Sequence, residues 1–345
     1  MKALVVGGAG FVGSYLVEAL LKAGNKVRVL DLDKRFLVDT RHPKLNLVIG
    51  SMLDKKVVAQ VVRDVDVLYH LAHAPRAGHE VHEQFRSGDT LKEFVENITG
   101  TAYLLEASRK HHVKQFIYTS SAVAYGIQKG KTLNEESCCH PENASIGGRI
   151  YGITKLAAER YCLLHHFQLG LPVTILRLHG VYRPDRFHLT ELAQQALKGK
   201  PLQITEGAGG QYAHIEDVIQ AYMLVTLNKK AYGQVFNIGG PYKFDELELA
   251  QFIIRKTNTK SSIEAVSDPT NQIISVDISK ASRLLNYNPK KGKKDFEQII
   301  ENYIRSNKHC EKQPAKAPHL INIHPKTPSS LVKPRKNRKQ HKNRH

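Results

Sequence analysis

Lys2-Ala3-Leu4-Val5-Val6-Gly7-Gly8-Ala9-Gly10-Phe11-Val12-Gly13 is the stretch whose reading decides the fold. Its first part is a continuous apolar run without alternation, the pattern of a strand buried on both faces. At Gly7 the run breaks into glycines, too early for a secretion signal. Phe11–Ala23 then carries apolar residues at helical spacing. Strand, G-x-x-G-x-x-G turn and helix in that order make a candidate pyrophosphate cradle. Gly7 and Gly10 allow the tight turn and close backbone approach, and Gly13 lets helix and strand pack closely. Phe11 and Val12 open the helix, whose unpaired N–H groups and positive dipole end suit an anion.

Working outward, Asp31 ends a second strand, Lys26–Asp31, 18 residues beyond Gly13. A carboxylate there bonds the ribose hydroxyls of NAD and repels a 2′-phosphate. Arg28, Lys34 and Arg35 are nearby cations that leave NADP open, with NAD the expected cofactor. Further strands are expected at Asn46–Ile49, Val65–Leu71, Gln115–Thr119 and Val173–Leu178, with helices at Leu91–Lys110 and Gly152–Leu169. Continuous apolar strands alternating with helices indicate an α/β, Rossmann-like, doubly wound parallel sheet. Beyond Leu178 the alternation loosens: helices are expected at Leu189–Lys198, Val218–Leu227, Leu247–Lys256 and Phe296–Ser306, with strands at Leu202–Thr205 and Gln234–Ile238. Residues 1–178 are therefore expected to form the dinucleotide-binding domain, 179–305 a smaller α+β substrate lobe interleaved with it, and 306–345 a disordered basic tail.

The 345 residues are 41% hydrophobic and 24% charged, which excludes collagen, coiled coil and disulfide-framed mini-proteins. The net charge of +19 is uneven: about +9 falls on residues 1–305 and +10 on 306–345. The tail's Lys333-Pro334-Arg335-Lys336-Asn337-Arg338-Lys339 suits weak, salt-sensitive polyanion binding. The chain has no Trp, and residues 304–345 hold no aromatic residue, so base stacking is not expected. Cys138, Cys139, Cys162 and Cys310 have no metal spacing and imply a reducing cytoplasm. No apolar stretch is long enough to span a bilayer.

Tyr151 and Lys155 stand four residues apart, one above the other on a helix face. A phenol is a poor base near neutrality, but an adjacent ammonium favours the phenolate. Tyr151 then suits proton exchange with an alcohol while hydride moves to or from a nicotinamide, and Lys155 also reaches the nicotinamide ribose. Tyr118-Thr119-Ser120-Ser121 ends the preceding strand, at the sheet edge where doubly wound folds bind ligands.

With these motifs in order the chain resembles the extended short-chain dehydrogenase/reductase family, in its NAD-dependent epimerase/dehydratase branch. The resemblance covers residues 1–305. It includes His70-Leu71-Ala72, Asn97 with Gly100-Thr101, Tyr125-Gly126, Leu176-Arg177-Leu178, His214 with Asp217, and Phe236-Asn237-Ile238-Gly239-Gly240. It implies Ser121 as the residue orienting a substrate hydroxyl, Tyr151 as acid/base and Lys155 as its partner. It implies a cofactor site of Gly7, Gly10, Phe11, Val12, Gly13, Asp31, Met52, Leu71, Ala72, Thr119, Tyr151 and Lys155. The expected substrate contacts are Ser121, Tyr182, Arg183, Arg186 and His214, with a sugar or nucleotide sugar as substrate. A homodimer built from the helices at Leu91–Lys110 and Gly152–Leu169 also follows from the resemblance alone.

Departures from the family pattern narrow the reaction. Dehydratases of the branch carry Asp-Glu after the catalytic Ser/Thr and decarboxylases keep the Glu, whereas this chain has Ala122-Val123. A 4-epimerase is expected, with a one-way NAD(P)-dependent dehydrogenase or reductase of a non-nucleotide alcohol or ketone as the alternative. A non-catalytic NAD-binding regulator is a third reading. Arginines that clamp a diphosphate in epimerases align with Gly210 and Ser267 here. His70, His73, His79 and His82 are read as strand end and polar loop, so no metal is expected. Asp54 and Met52 are expected at the adenine pocket.

Overall fold

Seven parallel strands and the helices covering them carry the site. The computed structural model describes residues 1–37, 41–73, 90–144, 148–184, 190–266 and 275–308. The first half runs β1 (Lys2–Val6), α1 (Gly13–Lys22), β2 (Lys26–Asp31), β3 (Leu45–Ile49), α2 (Lys55–Val62), β4 (Val67–His70), α3 (Thr90–Lys110), β5 (Gln115–Ser121), β6 (Thr132–Leu133) and α4 (Arg149–Leu169). Next come β7 (Val173–Leu178), β8 (Val181–Tyr182), α5 (Thr190–Leu197), β9 (Leu202–Thr205), β10 (Gly209–Gln211), β11 (Ala213–His214) and α6 (Ile215–Val225). The remainder is β12 (Gln234–Ile238), β13 (Lys243–Asp245), α7 (Glu246–Thr257), β14 (Ile263–Val266), β15 (Ser275–Val276), α8 (Ser279–Leu285) and α9 (Lys293–Lys308).

The main sheet has the order β12-β7-β5-β4-β1-β2-β3, and every neighbouring pair is parallel. From β1 the chain runs outward through β2 and β3, then crosses to β4 on the other side of β1. The crevice at the carboxyl ends of β1 and β4 is thus the switch point where such sheets bind ligands. The apolar run in β1 is continuous because both sheet faces are covered. Ala3 and Val5 pack with Leu16 and Leu20 of α1 and Tyr222 of α6. Leu4 and Val6 point the other way, towards Val58 of α2, Leu104 of α3 and Ala158 of α4. A third apolar cluster, including Leu192, Leu202, Leu249, Phe296 and Ile300, forms the core of the lobe around α5, β9, α7 and α9.

The expected strands and helices recur within a few residues of their positions. Gln234–Ile238, read with the lobe, instead pairs with β7 and becomes the seventh strand of the main sheet. Residues 1–308 form one compact unit. The short helices α2 and α8 escaped the sequence reading. Asp54, expected at the adenine pocket, is the N-cap of α2, its carboxylate accepting from the Lys56 and Val57 amides at 2.8 and 3.3 Å. His79, His82, Arg186, Ser267, Cys310 and the tail beyond 308 lie outside the described residues.

Candidate active site

The glycine-rich turn is packed too tightly for side chains at its ends. Gly7 has φ +83°, and a Cβ there would sit 2.6 Å from the Ala72 amide nitrogen. This is where the chain leaving β4 passes the turn, with the Leu71 and Ala72 amides both donating to the Val6 carbonyl at 2.8 and 3.0 Å. A Cβ on Gly13 would lie 2.1 Å from the Gly7 carbonyl oxygen, so α1 starts in direct backbone contact with the turn. No side chain caps α1 and no acid lies in its first turn. Its first amides therefore suit a bound anion.

Asp31 closes the other side of this cradle. Its carboxylate accepts from the Ala9 amide at 2.9 Å and the Leu32 amide at 2.8 Å. A carboxylate at the end of this strand is the group that bonds ribose hydroxyls in such sheets. Arg28, one of the cations that left NADP open, turns away to the carbonyls of Val61 and Arg63 at 2.5 and 3.0 Å. Met52 packs under Gly100 of α3, where a Cβ would come within 2.7–2.8 Å of its side chain. The described residues thus fit the adenosine and pyrophosphate parts of NAD.

Tyr151 and Lys155 lie in the first two turns of α4, against the end of β5. Lys155 is 3% exposed, and its ammonium is held at the end of β5. It donates to the Thr119 carbonyl at 2.8 Å and lies 5.1 Å from the Tyr118 ring centre and 5.6 Å from that of Tyr151. Between them Gly152 abuts the turn after β5, where a Cβ would meet the Val123 carbonyl oxygen at 2.9 Å. Ser121, which ends β5, lies between the two anchor points Thr119 and Val123, and its hydroxyl accepts from the Val123 amide at 3.3 Å. A second tie runs from α3: Asn97 donates to the Thr154 hydroxyl at 3.3 Å, which donates to the Tyr151 carbonyl at 2.9 Å.

Three neighbours of this group were not among the residues expected in the site, although His70 was read as the end of its strand. His73, read as loop filler, sets its ring edge-on to Tyr151 with centroids 5.9 Å apart. Tyr222 of α6 shares a hydrogen bond with the Thr119 hydroxyl at 2.5 Å. His70 is buried beneath, with Nε2 2.9 Å from the Thr101 hydroxyl. That hydroxyl donates to the Asn97 carbonyl at 2.7 Å, so Nε2 carries the proton and Nδ1 is bare. Burial, then Lys155, then His73 hold the His70 imidazole down to about 3, so it stays neutral beside the lysine. The only sequence signal for His73 was its place three residues past His70.

The expected substrate contacts divide. Tyr182 and His214 are both buried and pack edge-on at 5.1 Å. His214 Nδ1 caps α6 by accepting from the Glu216 amide at 3.2 Å. Arg183 reaches the glycine-rich turn rather than the lobe, donating to the Phe11 carbonyl at 2.8 Å. At position 210, where the resemblance puts an arginine, the space is filled by Tyr212: a Cβ on Gly210 would lie 2.3 Å from that ring and one on Gly180 2.5 Å. Phe244 packs on the same ring at 4.7 Å.

A family model described as NAD dependent epimerase/dehydratase family matches residues 3–239. An uncharacterised UDP-glucose epimerase of Bacillus subtilis (strain 168) is 32% identical over 324 residues, covering 86% of this chain and 95% of the relative. The UDP-glucose 4-epimerase of Lactobacillus helveticus is 28% identical over 322 residues, covering 84% of this chain and 92% of the relative. Among solved structures, UDP-glucuronic acid 4-epimerase from Bacillus cereus, in complex with UDP-glucuronic acid and NAD, superposes with a TM-score of 0.76 at 28% identity. That match covers 89% of this chain and 99% of the other. Matched over most of its length, the chain belongs to the NAD dependent epimerase/dehydratase family.

Proposed function

We propose that the chain is an NAD-dependent 4-epimerase of a nucleotide sugar. The observation that carries this reading is the docking of Tyr151 and Lys155 against the Thr119–Ser121 strand end, at the switch point that also holds the glycine cradle and Asp31. NAD bound there supplies a hydride acceptor that becomes the donor on the return step. Tyr151 takes the proton of the sugar C4 hydroxyl as the C4 hydrogen leaves as hydride, and the Lys155 ammonium stabilises negative charge on the phenol oxygen. Ser121 orients the hydroxyl. With the other face of the ketone presented, Tyr151 would return the proton to the sugar oxygen. Ala122 is buried and Val123 is apolar, so the two positions after Ser121 carry no acid–base pair, which disfavours elimination of water.

The similarity to UDP-sugar 4-epimerases supports UDP-sugars as the first substrates to assay. The wild type, given UDP-glucose or UDP-glucuronic acid, is expected to yield the C4 epimer by NMR with no net NADH. Tyr151→Phe is expected to retain NAD while losing about 10²–10⁴-fold in turnover. Unchanged turnover would remove Tyr151 from the acid/base role. Stoichiometric NADH without an epimer would support the second reading, a one-way oxidoreductase on a non-nucleotide alcohol or ketone. That reading is favoured by one observation, the Tyr212 ring at the place of an arginine clamp.

The apolar stripes left exposed on the paired helices α3 and α4 support a homodimer. Leu91, Phe94 and Val95 line one and Ile153, Leu164 and Phe167 the other, with Leu91 and Phe167 each 71% exposed. No helix among the described residues is long and apolar enough to cross a membrane. The cysteines Cys138, Cys139 and Cys162 are thiols, which supports a reducing cytoplasm. The tail at 306–345 is assigned weak polyanion binding, tested by salt elution from heparin with and without it.

A further inference from the structure

Thr119 bonds in two directions at once. Its carbonyl accepts from the Lys155 ammonium at 2.8 Å, and its hydroxyl shares a hydrogen bond with the Tyr222 phenol at 2.5 Å. Tyr222 is fully buried, and burial pushes its phenol above the ordinary range, so it keeps its proton. A buried O–H left without an acceptor is costly, so the phenol donates and the Thr119 hydroxyl accepts. Threonine is stiff at χ1, and a fixed hydroxyl therefore fixes the orientation of the residue and of its carbonyl. Without the phenol, the hydroxyl can turn to a nearby backbone group instead.

Tyr222 is itself firmly anchored. Its carbonyl accepts from the Thr226 hydroxyl at 2.7 Å, and that hydroxyl lies 2.7 Å from the Tyr69 phenol of β4. Gln115, which opens β5, holds the end of the same helix. Its side-chain amide donates to the Val225 carbonyl at 2.9 Å, and its side-chain oxygen accepts from the Leu227 amide at 2.5 Å. At the first turn of α6 the Asp217 carboxylate accepts from the Lys290 and Lys291 amides, both at 3.0 Å. α6 is thus riveted at both ends, and Tyr222 is where it grips the strand end that receives the Lys155 ammonium.

The titratable and charged groups around Tyr151 and Lys155 come from several elements. They are His70 of β4, His73 just after it, Tyr118 of β5, Glu159 and Cys162 of α4, and Tyr222 of α6. Tyr222→Phe changes no charge in this set, because the phenol it removes is neutral.

We propose that Tyr222 is a positioning residue for the Tyr151–Lys155 pair, fixing through Thr119 where the ammonium stands beside the phenol. The proposal rests on the acid/base reading of Tyr151. An ammonium held less firmly favours the Tyr151 phenolate less, so oxidation of the alcohol then needs a higher pH.

The test titrates Tyr151 directly in the NAD-loaded protein, as the phenolate ultraviolet absorbance that Tyr151→Phe removes, and measures kcat and KM across pH beside it. Loss of one neutral hydrogen bond predicts that Tyr151 in Tyr222→Phe titrates about 0.5–1 pH unit higher than in wild type. The kcat at neutral pH should fall about 3- to 10-fold and recover in alkali, with KM unchanged. Thr119→Val removes the same bond from its other side and should raise the Tyr151 titration likewise, which keeps the proposal testable if Tyr222→Phe folds poorly. Thr119→Ser keeps the hydroxyl and should titrate below Thr119→Val. The double variant Tyr222→Phe/Thr119→Val should titrate no higher than the singles, since one bond is lost in each case. A Tyr151 titration equal to wild type in both Tyr222→Phe and Thr119→Val, or a kcat loss of the same size at every pH, would overturn the proposal. A wild-type Tyr151 that titrates no lower than an ordinary phenol would overturn the acid/base reading, and the proposal with it.

Discussion

Arg177 and Glu159 form a buried ion pair beneath the active-site turn, and removing one partner gives a quantitative test of how that turn is held. Arg177 is 2% exposed and Glu159 fully buried. Nε donates to Oε1 at 2.9 Å and Nη2 to Oε2 at 2.7 Å, a bidentate geometry. Glu159 is the carboxylate that accepts from this guanidinium, with a second Nε contact to Oε2 at 3.2 Å. The guanidinium also lies 4.6 Å from the ring centre of Tyr125, in the Ala122–Tyr125 turn that follows Ser121. Glu159→Gln keeps the shape and removes the charge, leaving a buried guanidinium uncompensated. Breaking such a pair costs about 3–5 kcal/mol, on the order of 10 °C in melting temperature for a unit of this size. The double variant Glu159→Leu/Arg177→Leu removes both charges and should be less unstable than either single change. The assay is urea and thermal unfolding of wild type, Glu159→Leu, Arg177→Leu and the double variant, read as a double-mutant cycle, with Glu159→Gln measured beside them. A Glu159→Gln variant within about 1 kcal/mol of wild type, or a double variant as unstable as the sum of the singles, would refute the reasoning.

Other perturbations have equally definite outcomes. Gly13→Ala, whose Cβ would fall 2.1 Å from the Gly7 carbonyl oxygen, should abolish NAD retention in equilibrium dialysis at a stability cost of about 1–3 kcal/mol. His70, held down to about 3 by burial, should make the protein less stable in acid: below about pH 6.5 the unfolded chain takes up a proton that the folded chain refuses. The loss should reach about 2 kcal/mol at pH 5, with no slope from this group above pH 7, and shrink in His70→Asn. His179, His165 and His214 are also lowered, first by burial, and add to the same slope. Gly210→Arg should be tolerated, by thermal melting, only together with Tyr212→Ala, because the Tyr212 ring fills the space.

Local pattern made the sheet and its cofactor edge legible. The strand–glycine turn–helix unit and the acid ending β2 are contiguous signals, and the structure puts them on one edge. Lys155 and Tyr151 were legible because four residues is one helical turn. What stayed hidden depends on long-range packing. Gln234–Ile238 reads as an isolated short strand until β7 is there to pair with it. Arg183, Tyr182 and His214 are close in pattern, yet one turns to the glycine-rich turn and two pack on each other. No local signal distinguishes a loop arginine from one lying among Phe11, Tyr15 and Phe36, which are 147 or more residues away in sequence. Gly180 and Gly210 look like ordinary loop glycines until the Tyr212 ring between them is placed.

The most direct test of the central claim follows deuterium placed at C4 of a UDP-sugar during turnover by the wild-type enzyme. Hydride returned from the same NAD to the same carbon predicts that both epimers keep the label at C4, with no net NADH and no washout into solvent. Loss of deuterium from C4, or its recovery in released NADH, would contradict the account.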